Sequence, residues 1–373
     1  MEFNFKQNKG DYILSFTAVV QSLLVVFQQC LISVLHMPEE STTIYRVYMS
    51  ALPVIISLYY ILRRKGILLV ITYTTVIAVL FLHRSLFPKN EPYIIQSSTR
   101  FLLPILLPVF LSVISIRKFD IFINTLYYVS WFTFGLTLVY VVSLLTGNVV
   151  FDTYNMRFSY GLLIPTLSLY NKKNKLSLIA AFLLLLIIVA VGSRGPVLLI
   201  VLYLIYDITA NNRKFLFPLL ILGIVLYLSI PLFINFLEHV GVMSRTLSLL
   251  QSGEINNVSG RDYYYQLTIH QLMEYPSFGL GLFGDRVYLN GAYCHNFLLE
   301  LAIDFGIPIA FIICLCLLIW VIIRYYHFEP SKRPILMLFV VVAFKLLASG
   351  SYLEDYDLAL LIGLLYRGDK DWF

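Results

Sequence analysis

Long apolar runs separated by short polar punctuation dominate the chain. Stretches free of Asp, Glu, Lys, Arg and His cover residues 12–35, 47–62, 66–82, 101–116, 121–151, 158–171, 176–193, 195–206, 215–237 and 305–323. Residues 334–353 continue the series, interrupted by Lys345, and a weaker run covers 358–366. A helix needs about 20 apolar residues to cross a hydrocarbon core roughly 30 Å thick. Lipid offers the backbone no hydrogen-bond partners, so self-satisfying helices are the expected solution. The pattern predicts an all-α, polytopic integral membrane protein of about twelve transmembrane helices. The sixth, eighth and twelfth runs are the shortest. The first is expected to be a span rather than a cleaved leader, because it is too long and no small-x-small site follows it.

Composition strengthens this picture. Hydrophobic residues make up 59% of the 373 and charged residues 13%, which leaves a soluble fold too little polar surface to cover itself. Disorder, collagen, coiled coil and a disulfide scaffold are excluded on the same grounds. The net charge of +6 acquires meaning from its distribution. With the N-terminus inside, most basic residues fall in short inner loops, among them Lys6, Arg63, Arg64, Lys65, Arg117, Lys172, Arg213, Arg324, Arg333 and Arg367. That is the positive-inside pattern. The charge therefore reports topology and contact with anionic lipid, with no nucleic-acid partner. Both termini are expected in the cytoplasm. The four cysteines form no framework: Cys314 and Cys316, two apart, face different sides of a helix, and Cys294 is expected to be a free thiol.

The predicted outer loops are longer, and one dominates. Residues 1–373 are expected to form a single transmembrane domain, with a large extracytoplasmic loop, 238–304, between the ninth and tenth spans. A connection this long is usually functional or disordered. Its content of Tyr, Phe and Leu favours a folded segment. A helix is expected over 262–275, ended by Pro276, with Gly279, Gly281 and Gly284 making a turn. Two stretches concentrate chemistry. One is Ser259-Gly260-Arg261-Asp262 followed by Pro276-Ser277-Phe278-Gly279-Leu280-Gly281; the other is His295-Asn296 followed by Glu300 and Asp304.

On these residues the sequence resembles the O-antigen polymerase and O-antigen ligase superfamily of bacterial envelope glycosyltransferases. That family carries an Arg before a helix, then P-x-x-G-x-G, then H-N before the next span, all in one extracytoplasmic loop. Ser193-Arg194-Gly195 is similar to its second Arg site. The resemblance implies glycan transfer from a polyprenyl diphosphate to a sugar hydroxyl at the outer face of the bacterial inner membrane. The expected reaction is polymerisation of undecaprenyl-diphosphate-linked oligosaccharide repeat units into O-antigen or capsular polysaccharide. A ligase moving the glycan onto lipid A core is the nearest alternative, and a lipid-linked oligosaccharide flippase is the alternative of another class. The implied partners are undecaprenyl-diphosphate-linked oligosaccharides and membrane lipid, with a chain-length regulator protein as a further candidate.

The chemistry of the side chains fits. Diphosphate is a good leaving group, so charge stabilisation matters more than its protonation. Arg is always charged and grips phosphate oxygens in a bidentate fork. Arg194 and Arg261 are the expected diphosphate ligands, helped by Arg245 and Arg286. His295 is expected to position or deprotonate the acceptor hydroxyl. Glu300 and Asp304, four apart on one helical face, could orient His295, and either could itself be the base; Asn296 and Asp304 complete the expected substrate-binding set. Each has a plainer reading. Arg194 would snorkel, Arg245 and Arg286 would be solvated loop charges, His295 would cap the helix beginning near Asn296, and Asp262 would cap its own helix. Lys345 would snorkel or pair with Glu300 or Asp304. There is no P-loop, no G-x-G-x-x-G and no metal-spaced His/Cys set. Asp355-Tyr356-Asp357 is a weak divalent-cation pattern on its own, so neither a cofactor nor a metal is expected.

Overall fold

The structure, a computed structural model, describes residues 5–146, 156–191, 194–211 and 261–367. Among them every regular element is helical. The α-helices are α1 (Phe5–Val34), α2 (Glu39–Leu86), α3 (Glu91–Ser97), α4 (Leu107–Ser115), α5 (Phe119–Leu145), α6 (Met156–Gly161), α7 (Leu163–Asn171), α8 (Lys175–Ala190) and α9 (Arg194–Asn211). After the undescribed stretch come α10 (Arg261–Glu274), α11 (Gly284–Tyr288), α12 (Phe297–Phe305), α13 (Ile307–His327), α14 (Arg333–Ala343) and α15 (Tyr356–Arg367).

Six helical segments among the described residues are long and apolar enough to cross a membrane: Asn8–Val34, Glu39–Leu86, Pro88–Ser115, Phe119–Leu144, Arg194–Asn211 and Ile307–His327. The expected ninth span, 215–237, lies outside the described residues. The break expected at 63–65 is a kink that divides α2 into two helices, at Lys65, whose φ of −141° and ψ of 37° are non-helical. The eleventh run is helical only to Ala343. A 3-10 turn, Phe344–Leu347, and Gly350 at φ +92° bring the chain out of it early.

The fourth run departs most from a regular helix. Residues Ser98–Leu106 form a π-helix carrying Pro104, and α4 continues it with Pro108 in its first turn. The Leu107 N–H bonds the Leu102 carbonyl. In that register Leu103 O looks to residue 108, which as proline has no N–H. The Tyr73 hydroxyl fills the vacancy, donating to Leu103 O at 3.0 Å.

The chain divides into two compact units. The first comprises Met1–Ala18, Ala51–Phe122 and Ser259–Phe373. In its core Phe119 stacks on Phe122 and meets Phe328 edge-on, and Gly363 of α15 lets that helix approach Val113 and the Phe110 carbonyl of α4. Chain segments that the loop charges place on the inner side meet one another here. Asp11 accepts from Arg64 and, at 2.8 Å, from the Arg117 N–H; Arg64 also donates to Ser115 O at 2.9 Å, and Arg367 donates to Ile114 O. The second unit comprises Val19–Ser50 and Ile123–Val258. Its buried Asp207 accepts from Tyr170 at 2.7 Å and Lys173 at 2.6 Å, joining α7 to α9. Gly195 lies so close to the Tyr160 hydroxyl that a Cβ there would collide with it.

Candidate active site

The first unit holds the described part of the predicted outer loop. Helix α10 packs Leu272 against Leu301, Ala302 and Ile303 of α12 and Ala310 of α13. It ends at Glu274, two residues before Pro276, close to the expected limits; Asp262 lies in its first turn.

The P-x-x-G-x-G segment then folds back over the C-terminus of α12. The Leu280 N–H donates to Ile303 O at 2.6 Å, the Gly281 N–H to Asp304 O at 3.0 Å, and the Ile307 N–H to Pro276 O at 2.9 Å. Helix C-termini leave carbonyls without intrahelical partners, and this turn supplies donors to two of them. Gly279 and Gly281 have φ +66° and +79°. A Cβ on Gly279 would come within 2.6 Å of Ile303 O, and one on Gly281 would strike the Phe87 ring. Asn90 fixes the same turn from the α2–α3 connection, its Nδ2 donating to Leu280 O at 2.8 Å and Leu282 O at 3.0 Å.

His295 sits at the end of the following loop. Its backbone is left-handed, φ +59°, a conformation that costs a non-glycine residue about 1–3 kcal/mol and persists only where neighbours enforce it. The neighbours are fixed. The Cys294 N–H donates to Asp285 Oδ2 at 2.9 Å. Asn296, not His295, caps α12: its Oδ1 accepts from the Leu298 and Leu299 N–H groups at 3.0 and 3.2 Å. The imidazole lies against Tyr293 (ring centroids 4.1 Å apart) and Tyr264 of α10 (6.0 Å). Its Nδ1 is buried and has no hydrogen-bond partner. Burial, reinforced by the positive charge of Arg261, pushes the imidazole down from 6.5 to about 4. The structure thus brings Arg261 within electrostatic reach of a neutral His295.

Glu300 and Asp304 share the buried face of α12 and take part in a polar network. Arg286 of α11 is at its centre, only 4% exposed in its side chain, donating to Asp285 at 2.6 Å, Glu300 at 2.8 Å and the Ser351 hydroxyl at 2.8 Å. Ser351 and the Tyr352 N–H also donate to Glu300, and the Tyr352 hydroxyl donates to Asp304 at 2.6 Å. Burial raises Glu300 to about 7 against the pull of Arg286. Burial and the anions of Asp285 and Glu300 raise Asp304 well above the usual carboxylate range. Burial also raises the Cys294 thiol, with Asp285 adding to it, so no thiolate is available there. Arg286 is therefore no solvated loop charge. Its guanidinium is already answered by two carboxylates.

Lys345 also differs from expectation. It pairs with neither Glu300 nor Asp304. Its ammonium is clasped by Asp355 (2.7 Å) and Asp357, so the D-x-D pair neutralises a largely enclosed cation. Arg194 opens α9 in the second unit, Arg245 lies outside the described residues, and neither is placed here against Arg261. Sequence reasoning missed Asn90, Asp285, Tyr264, Tyr293, Ser351 and Tyr352. The one available signal was the adjacent Asp285-Arg286 pair in an apolar loop.

Residues 179–314 match the family described as O-Antigen ligase. The O-antigen ligase match takes in Arg194, Arg261, the Pro276 turn, His295 and Asn296, as well as Glu300 and Asp304. It is consistent with the superfamily resemblance carried by the motifs. It indicates a glycosyltransferase-like enzyme acting on lipid-linked glycans and lends the flippase reading no support. With the apolar helices, it describes a multi-pass membrane protein. No curated protein and no solved structure matches the chain.

Proposed function

We propose that the protein polymerises undecaprenyl-diphosphate-linked oligosaccharide repeat units at the outer face of the bacterial inner membrane. The observation that carries the proposal is the His295 loop. It presents an uncharged imidazole with a buried, unpartnered Nδ1, in a strained backbone, under the influence of Arg261, inside the family-matched stretch. Neutral imidazole is the form that accepts a proton. The acceptor sugar's hydroxyl would lose its proton to His295 as its oxygen bonds the donor's anomeric carbon. The carbon–oxygen bond to the diphosphate breaks in the same displacement. Arg261 would stabilise the departing diphosphate, a preorganised charge effect worth a few kcal/mol. Arg194 and Arg245 are proposed to assist it. Arg286, enclosed by Asp285 and Glu300, is proposed to hold the loop rather than the substrate.

The proposed topology has about twelve spans, both termini in the cytoplasm and residues 238–304 outside. The loop charges support it, as does the meeting of Asp11, Arg64, Ser115 and Arg117, all next to segments those charges place inside. The test uses purified protein with synthetic lipid-linked repeat units. A ladder of chains with release of undecaprenyl diphosphate is expected. The family description favours a second reading, transfer of the glycan onto lipid A core. Product that forms only after core lipid is added would establish that reading instead. Movement of the lipid between leaflets with no bond formed would defeat both.

A further inference from the structure

The carboxylate beneath the His295 loop has no part in the reaction as set out above. Asp285 is fully buried, so it meets no substrate. Its Oδ1 accepts from Arg286 at 2.6 Å and its Oδ2 from the Cys294 N–H at 2.9 Å. Cys294, also fully buried, is the residue immediately before His295. On the other side Asn296 is locked twice, as the cap of α12 and through its Nδ2 to Leu347 O at 3.2 Å. The Cys294 thiol donates to Asn296 O at 3.4 Å, bridging the two flanking residues. Residue 295 is thus held between two anchored neighbours, in a left-handed backbone. The imidazole Nδ1 makes no hydrogen bond that would orient the ring directly. Its direction comes from the backbone and from the Tyr293 and Tyr264 rings.

We propose that Asp285 is a positioning residue for His295, holding through the Cys294 N–H the backbone conformation that aims the imidazole. Arg286, Glu300 and Ser351 hold Asp285 in turn, so the loop is tied to α11, to α12 and to the segment before α15. The inference rests on the proposed role of His295. An asparagine at 285 has one carbonyl oxygen for two donors, so it preserves part of the arrangement; an alanine preserves none.

The test compares Asp285→Asn and Asp285→Ala in the otherwise native chain and in a His295→Gly background. Glycine adopts the left-handed backbone freely and leaves no ring to aim. In the native background Asp285→Ala should lower kcat by about 10²-fold, the scale of a misplaced catalytic group, with KM nearly unchanged. Asp285→Asn should fall between the two. In the glycine background either change should cost less than about threefold, because residues acting as one unit are not additive. An equal loss in both backgrounds would overturn the inference. Where Asp285→Ala does not accumulate in the membrane, Asp285→Asn carries the comparison. A second readout needs no turnover: diethyl pyrocarbonate labelling of His295 in purified protein, followed by mass spectrometry. The labelling rate should change at least about twofold in Asp285→Asn, and an unchanged rate would also count against Asp285. Full activity of His295→Gly would remove the role of His295 instead, and labelling would then judge Asp285 alone.

Discussion

In the role of base proposed for it, an imidazole that stays neutral well below its usual range would set the pH behaviour at the residue scale. His295 is pushed down to about 4 by burial first and by Arg261 second. A base is active when deprotonated, so lowering its pKa extends activity toward acid. The rate should hold as pH falls through 6.5, where an exposed imidazole becomes charged, and decline only near pH 4; a kcat/KM profile checks this. An acid limb near 6.5 would mean that His295 is solvated or not the base. Arg261→Ala should lower kcat/KM by about 10²–10³-fold. Arg261→Lys should recover only part, since an ammonium cannot reproduce the bidentate fork. Arg194→Ala is expected to behave like Arg261→Ala, with protein still present in the membrane. Of the candidate site, Arg261, His295 and Asn296 stood out in the chain because they carry local signals: a helix start, a turn, a cap. The partners of Glu300 were not. Ser351 lies 51 residues along the chain, and no spacing rule announces a contact made by tertiary packing.

Two elements depend on filling backbone vacancies. The π-helix Ser98–Leu106 leaves the Leu103 carbonyl to the Tyr73 hydroxyl. Tyr73→Phe should therefore destabilise the protein by about 1–3 kcal/mol, the cost of a half-buried acceptor left unpaired. Thermal unfolding in detergent would show it, and an unchanged midpoint would mean that the carbonyl finds another donor. The Pro276 turn works the other way, bringing donors to the carbonyls of Ile303 and Asp304. Gly281→Ala would force a side chain into a left-handed backbone against Phe87, at a cost of about 1–2 kcal/mol before any clash. Activity should fall with stability, because α12 carries the Asn296 cap at its other end. From the sequence the turn was visible as glycines and its docking on α12 was not. Pro104 and Pro108 stand plainly in the sequence, but neither discloses a π register or the tyrosine that completes it.

At the scale of the whole molecule, hydrophobic runs located the helices among the described residues better than they located the ends of those helices. Arg63, Arg64 and Lys65 read as a loop, and there α2 breaks into two helices joined by a kink at Lys65. A basic cluster marks where a chain meets the aqueous boundary, not how sharply it turns. Membrane-impermeant maleimide applied to intact cells should label Phe278→Cys, whose site is 83% exposed, and spare Lys65→Cys, in a protein whose native cysteines are replaced. The reverse pattern would invert the topology. Lys345→Met should cost about 3–5 kcal/mol by leaving Asp355 and Asp357 uncompensated, measurable as loss of protein from detergent extracts. That clasp also bears on how the polypeptide is made. The ammonium and its two counter-ions lie on either side of the exit from the eleventh run, so during synthesis the cation emerges from the ribosome before Asp355 and Asp357 can neutralise it. A nascent chain halted at Ser351 would expose a naked charge to lipid. Helices α14 and α15 are therefore best delivered to the bilayer together, as a two-helix packet whose charges cancel only once both have left the insertion machinery.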